Sequence, residues 1–167
     1  FYIVLDKQGK IWTCGVNAYG LLGNGGYTTN NEIVCLNDIE GTELYKAKIK
    51  DSNFKIKNII KISNDSSVSS DYNCIVYAVD NSNKLWVWGS NAKYDIKYLT
   101  PTCLTDKEEC TLHDAYYNDN IQIVDVNGSN FKDNTGELWS ISLEDFNNWK
   151  RCTESLLENG RIDDNIG

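Results

Sequence analysis

Apolar and polar residues alternate in short runs along the chain, and Asp, Asn or Gly interrupts them every few positions. That is the rhythm of half-buried strands joined by tight turns. Three runs carry tryptophan: "KIWTCG" from Lys10, "KLWVWG" from Lys84 and "ELWSIS" from Glu137. Each follows another apolar run, "FYIVL", "CIVYAV" and, more weakly, "VNGSNF". Upstream of the second and third pairs lie "IKNIIKIS" and "NIQIVDVNGS", whose β-branched residues predict further strands. The lysines of "YKAKIKDSNFKIKNIIK", Tyr45 to Lys61, alternate with Ala, Ile and Phe and read as the solvent face of a strand.

The turns repeat as well. "DKQGKIW" at 6–12, "DNSNKLW" at 80–86 and "DNTGELW" at 133–139 share Asp at the first place, Gly or Asn at the fourth, an aliphatic residue at the sixth and Trp at the seventh. Asp starts a turn by bonding its own backbone. Gly9, Asn83 and Gly136 stand where a short hairpin loop needs a positive φ. Each unit is therefore predicted to hold a β-hairpin with aromatics on its second strand. Trp12, Trp86 and Trp139 are expected at equivalent, mostly buried places. Gly15 and Gly89, each followed two places later by Asn (Asn17, Asn91), continue the turn chemistry.

Glycines crowd the stretch after the first hairpin, "GLLGNGG" at 20–26. A phosphate-binding loop would need Gly-Lys-Ser/Thr opening a helix, and a dinucleotide fingerprint would need a helix behind it. This stretch runs instead into "YTTNNEIVCL", turn residues and then a short strand. It reads as a turn at the edge of a repeat unit.

These residues resemble the regulator of chromosome condensation repeat family, in its bacterial type and in part. Val4, Leu5, Asp6, Gly9, Trp12, Gly15, Asn17, Gly20, Leu22 and Gly23 match its signature of apolar strand, Asp-Gly hairpin, aromatic strand, Gly-x-Asn and Gly-x-Leu-Gly. The second copy keeps "LWVWGSN" and lacks the Gly-x-Leu-Gly; the third ends at "LWSIS". The resemblance implies β-propeller blades, of which the family stacks about seven. The fold expected here is all-β, three propeller-type blades in one domain: 1–56 with a connecting segment, 57–115, and a degenerate 116–167. Three blades do not close a ring. The propeller is read as partial, completed by a further part of the chain or by oligomerisation, and its open blade edges invite self-association. The chain has no Met and starts in mid-strand, so it reads as a piece of a longer protein.

Composition narrows the function. A net charge of −8 argues against a nucleic-acid surface. No apolar run is long enough to span a membrane. Six cysteines, Cys14, Cys35, Cys74, Cys103, Cys110 and Cys152, include no Cys-x-x-Cys pair. Cys103 and Cys110 are read as plain reduced or buried thiols or as a loop disulfide; a metal site with His113, the one histidine, is the weakest alternative. His113 stands in an acidic stretch, "CTLHDAYYNDN", read as a loop with no nucleophile elbow, and no Gly-x-Ser-x-Gly occurs. Glu108/Glu109 and Asp163/Asp164 read as solvated pairs, and "DNSNK" and "DNTGE" lack the ligand pattern of a calcium loop. Asn64-Asp-Ser66 and Asn127-Gly-Ser129 are glycosylation sequons only in a eukaryotic secretory protein.

No cofactor is expected and no catalysis. The function expected is a non-enzymatic module that binds a protein partner, basic or neutral given the acidic charge, within a larger secreted or cell-surface protein; a cytoplasmic setting is the other possibility. A carbohydrate-binding module or an enzyme domain on the same scaffold is the alternative. The family's nuclear exchange and chromatin roles are not implied, whereas its secreted bacterial interaction proteins, including propeller-type inhibitors of β-lactamase, are the nearer comparison. The contact surface is expected on three loops, 16–32, 89–102 and 142–150, which follow the Trp strands and vary between copies. Candidate contact residues are Tyr19, Tyr27, Asn91, Tyr94 and Trp149, with Tyr116 and Tyr117 beside them. The tail "TESLLENG" reads either as one helical turn capped by Thr153 and Gly160 or as part of an outer strand begun at "WKRCTESLL".

Overall fold

Three Asp–Trp hairpins organise three antiparallel sheets. A computed structural model describes residues 1–64, 74–127, 130–142 and 144–151. The first sheet holds β1 (Tyr2–Leu5), β2 (Ile11–Gly15) and β3 (Asn30–Cys35). The second holds β4 (Ile56–Asn64), β5 (Cys74–Asp80), β6 (Leu85–Asn91) and β7 (Ile96–Cys103). The third holds β8 (Ile123–Asn127), β9 (Asn130–Asp133), β10 (Leu138–Ser142) and β11 (Asp145–Arg151). Every strand pairs with its neighbours in sequence, so each sheet is a meander of the kind that makes a propeller blade. The fold is all-β and propeller-like, with three blades of three or four strands and no closed barrel. The chain forms two compact units, Phe1–Leu104 and Thr105–Gly167.

The repeated turn works the same way each time. The Asp6 carboxylate accepts the amides of Gln8 (2.8 Å) and Lys10 (2.9 Å) through Oδ1 and the Trp12 indole N–H through Oδ2 (2.8 Å). Asp80 takes Ser82, Lys84 and Trp86 in the same roles, and Asp133 takes Thr135, Glu137 and Trp139. Gly9, Asn83 and Gly136 turn the corner with φ of 80°, 59° and 91°. In each, the N–H at this fourth place donates to the Asp carbonyl. Asp at the first place and Trp at the seventh are thus one device, a carboxylate that ties the turn to the strand leaving it. The ladder then slips at a common place, three residues after each Trp, at Gly15, Gly89 and Ser142. Gly15 and Gly89 both take φ of 109° there.

A second staple serves only the later two hairpins. Asn81, next to Asp80, accepts the Lys55 amide and donates to the Asn53 carbonyl. Asn134 repeats this with the Gln122 amide and the Asn120 carbonyl. Each ties the hairpin to the segment that enters β4 or β8.

Two helices correct the sequence reading. Residues 45–50, read as strand, belong to α1 (Glu43–Lys50). Thr42 caps it by accepting the Tyr45 amide at 3.2 Å, and Leu44 is buried while the lysines stay outside. Glu, Leu, Lys and Ala are good helix formers, and their propensity with the cap prevails over an apparent two-residue alternation. Only 56–61 of the lysine stretch is strand, the start of β4. The stretch around His113, read as a loop, forms α2 (Thr111–Asp119), with Leu112 and Ala115 buried three residues apart on one side. Asn120 ends it in the left-handed region.

The core of the first unit gathers Ile11, Leu36, Leu44, Ile56, Val76, Ala78, Trp86 and Trp88, with Ile3, Leu5 and Phe54 packed against it. In the second unit Phe131 and Phe146 lie edge-on to Trp149, with ring centroids 4.8 and 6.3 Å away. Trp86 and Trp139 are buried and Trp12 is half-buried.

Candidate binding surface

The glycine-rich stretch after β2 is a packed connector. Asn17, fully buried, accepts the Leu22 amide at 2.9 Å and donates to the carbonyls of Gly26 (2.8 Å) and Thr28 (3.2 Å). The curl presents the Leu21 carbonyl to the Trp88 indole N–H at 2.9 Å and the Tyr19 carbonyl to the Ser90 hydroxyl at 2.7 Å. Gly23 takes φ of 66°, and a Cβ there would stand 3.0–3.1 Å from Leu36 and Trp88. These glycines let the first sheet's connector lie against β6. Within the expected 16–32 loop, Gly20–Gly23 are buried, while Val16, Ala18 and the end from Tyr27 are left to solvent.

That end meets the β6–β7 hairpin. Gly25 donates to the Leu99 carbonyl at 2.9 Å. Tyr27, 47% exposed, has the Lys97 ammonium 5.8 Å from its ring centroid. At the hairpin tip a 3-10 turn over Ala92–Tyr94 places the Lys93 ammonium 5.3 Å from the Tyr94 ring. One exposed tyrosine, Tyr27, and one half-buried tyrosine, Tyr94, each beside a lysine, thus lie on one unit with a buried, hydrogen-bonded foundation. Tyr19 is half-buried, its carbonyl holding the foundation.

The other expected contact positions lie differently. Asn91 is buried, and its Oδ1 accepts the Lys93 amide to start the tip turn, so it shapes the surface from inside. Residues 89–102 are the end of β6, the tip turn and most of β7 rather than a loop. Residues 145–150 belong to β11, and Trp149 is buried, its indole donating to the Phe146 carbonyl and its amide to Thr111 Oγ1. Trp149 is core because β11 packs on α2, a helix the apolar pattern did not announce. Tyr116 is half-buried and lies 4.9 Å from Tyr117, which is exposed and donates its hydroxyl to the Asp106 carboxylate. His113 stacks on Tyr117 with centroids 4.7 Å apart.

Cys103 and Cys110 are both buried thiols outside any disulfide, which removes the loop disulfide. Burial pushes the Cys110 and Cys35 thiols above their usual range. Among the described residues no three His, Cys, Asp or Glu side chains come together to hold a metal ion. Cys152, the tail 152–167 with its two readings, Asp163/Asp164 and the second and third positions of both sequons lie outside the described residues. Among the described residues, no helix is long and apolar enough to cross a membrane.

The second unit has a concavity of about 520 Å³ lined by Thr111, Asp114, Asp119, Trp139, Lys150 and Arg151 among others. Its Arg151 is already engaged, 5.6 Å from the Trp139 ring and 3.5 Å from Glu137.

No family model matches the chain, and no curated protein matches it in sequence. Among solved structures, the crystal structure of human WBSCR16 is similar over 89% of this chain at 16% identity, with a TM-score of 0.32. The chain spans about half, 50%, of that structure.

Proposed function

We propose that the chain is a non-enzymatic protein-interaction module on regulator-of-chromosome-condensation-type blades, with its contact surface at Tyr27, Tyr94, Lys93 and Lys97. The carrying observation is Tyr27, 47% exposed under the Lys97 ammonium, on a connector anchored by buried Asn17, Trp88 and Ser90. Tyrosines on a rigid framework give large contact area at low entropic cost, and lysines supply the steering charge. The chain as a whole is acidic, and this patch carries Lys93 and Lys97 with the exposed Asp95 between them. The contacting segment of the partner is therefore neutral or carries carboxylates, and association weakens with salt. The threefold Asp–Trp hairpin supports the blade assignment, because the same seven positions make the same hydrogen bonds three times.

An exposed tyrosine such as Tyr27 also suits sugars, which keeps carbohydrate binding as the second reading. A quantitative crosslinking pull-down with wild type, Tyr27→Ala/Tyr94→Ala and Tyr117→Ala, run beside a glycan array, tests both. A partner lost with the Tyr27/Tyr94 pair and kept with Tyr117→Ala is the expected outcome. Retention of all partners by the Tyr27/Tyr94 pair ends the assignment of this surface. Saturable glycan binding lost with the same pair replaces it with the carbohydrate reading.

A further inference from the structure

The acidity of the chain is unevenly placed. Residues 105–167 hold 14 of its 24 acidic residues and 5 of its 16 basic ones. Within 105–119, Asp106, Glu108, Glu109, Asp114 and Asp119 are all exposed, against one lysine, Lys107, which lies 3.6 Å from Glu109. Aromatic rings stand among these carboxylates. The Tyr117 ring is 50% exposed and meets two others, His113 at 4.7 Å and Tyr116 at 4.9 Å between centroids. His113 and Tyr117 are four residues apart, so their rings share one side of α2. The Tyr117 hydroxyl donates to the Asp106 carboxylate, which fixes how the ring stands. Beyond His113, Asp114 Oδ1 lies 3.7 Å from the imidazole Nδ1 and accepts from the Asn118 side-chain amide at 3.3 Å, while the Asp114 side chain stays 76% exposed. The outer side of α2 is thus a strip of two stacked rings with a carboxylate at each end.

We infer that this outer side of α2 docks an arginine-bearing segment of a basic partner protein. A guanidinium stacks on aromatic rings, pairs with carboxylates through its fork of donors and is more weakly hydrated than an ammonium. The same unit already holds one guanidinium in this way: Arg151 lies 5.6 Å from the Trp139 ring and 3.5 Å from Glu137. The acidic excess of 105–167 attracts a basic segment from a distance, and the strip between Asp106 and Asp114 gives it a place to stop. Rings carry the contact area and carboxylates the choice of charge. The tyrosine–lysine surface of the first unit is a different place that offers ammonium groups instead, so the two surfaces select different segments and each is tested apart from the other.

The probe is a fluorescein-labelled heptapeptide of alternating glycine and arginine, titrated into the intact chain at low salt and followed by anisotropy. The control is the same peptide with citrulline, the uncharged isostere, in place of arginine. Saturable binding of the arginine peptide is expected, about tenfold or more tighter than that of the control. Tyr117→Leu removes the exposed ring without changing charge and weakens binding about fivefold. Asp114→Asn removes one terminal carboxylate and also weakens it about fivefold. Glu32→Gln removes the same charge from an exposed position in the first unit and leaves binding within about twofold of wild type. Should Tyr117→Leu lose its native circular dichroism, Asp114→Asn read against Glu32→Gln decides alone. Equal binding by wild type and a folded Tyr117→Leu overturns the inference, because the peptide would then be responding to acidity in general. An equal loss with Glu32→Gln and Asp114→Asn overturns it for the same reason, and so does the absence of saturable binding.

Discussion

The Asp6 and Asp80 hairpins make the same three carboxylate hydrogen bonds in different surroundings. Asp6 and Trp12 are half-buried at the side of the first sheet. Asp80 and Trp86 are buried, with Phe54 edge-on to the Trp86 ring at 5.7 Å. The local device is fixed by seven residues and needs no neighbours. What its loss costs is set by whether water can take over the freed N–H groups. Asp80→Ala leaves a buried indole N–H and two turn amides without their acceptor and should cost about 3–4 kcal/mol, against about 1–2 kcal/mol for Asp6→Ala. Urea denaturation of both variants measures the difference. Equal losses would mean that the bonds, and not their burial, decide the cost.

The glycines at the fourth place make the same comparison through space instead of solvent. Gly9 and Gly136 share a positive φ, but a Cβ at Gly9 would fall 2.4 Å from Lys55 Cβ and 2.8 Å from Lys55 Cα. Nothing lies within 4 Å of one at Gly136. Gly9 also holds the start of β4, its carbonyl accepting the Ile56 amide at 2.9 Å. Gly9→Val should therefore cost about 2–4 kcal/mol, strain and collision together, and Gly136→Val about 1–2 kcal/mol from strain alone. Asn in place of either glycine tolerates the positive φ, as Asn83 does, so Gly136→Asn should fall below about 1 kcal/mol in the same denaturation series.

What the sequence disclosed divides along the same line. The hairpins, the strands upstream of them and the corner residues were legible because each rests on contacts within a few positions. The helices were not. Lys46, Lys48 and Lys50 imitate a strand's alternation, and only Leu44 with the Thr42 cap marks the helical side. The buried places of Asn91 and Trp149 were equally hidden, since both depend on partners the periodicity does not name: the amide of a tip turn for one, Thr111 of α2 for the other. Of the candidate surface, Tyr27 and Tyr94 were legible as aromatics near turns. Lys93 stands beside Tyr94 in the sequence itself, whereas the pairing of Tyr27 with Lys97 came only with the packing of the connector on β7. The glycine stretch was legible as turn residues, and its packing against Trp88 is a tertiary fact.

Acid gives the smallest and most discriminating effect. The carboxyl of Asp6 is held below its ordinary 3.8 by the Lys10 amide first and then by the Trp12 indole. Burial pushes that of Asp133 upward, but Thr135, Trp139 and the turn amides outweigh it, and it too ends below 3.8. A carboxyl whose native value lies below its unfolded value binds fewer protons folded than unfolded. Its stabilisation is therefore complete above about pH 4 and is lost as the pH falls through the native value. Asp38 shifts the same way for another reason, the Lys48 ammonium 2.5 Å from its carboxylate on an exposed surface. Neutral donors are insensitive to salt and an exposed ion pair is screened by it. In denaturation series from about pH 6 down to about pH 3, Asp6→Asn, Asp133→Asn and Asp38→Asn should each flatten the acid loss of stability. About 0.5 M salt should erase the Asp38 contribution and leave those of Asp6 and Asp133 in place. If salt erased all three alike, the turn carboxylates would be acting through the charge of nearby lysines, and the hydrogen-bonded turn would not be their source of stability.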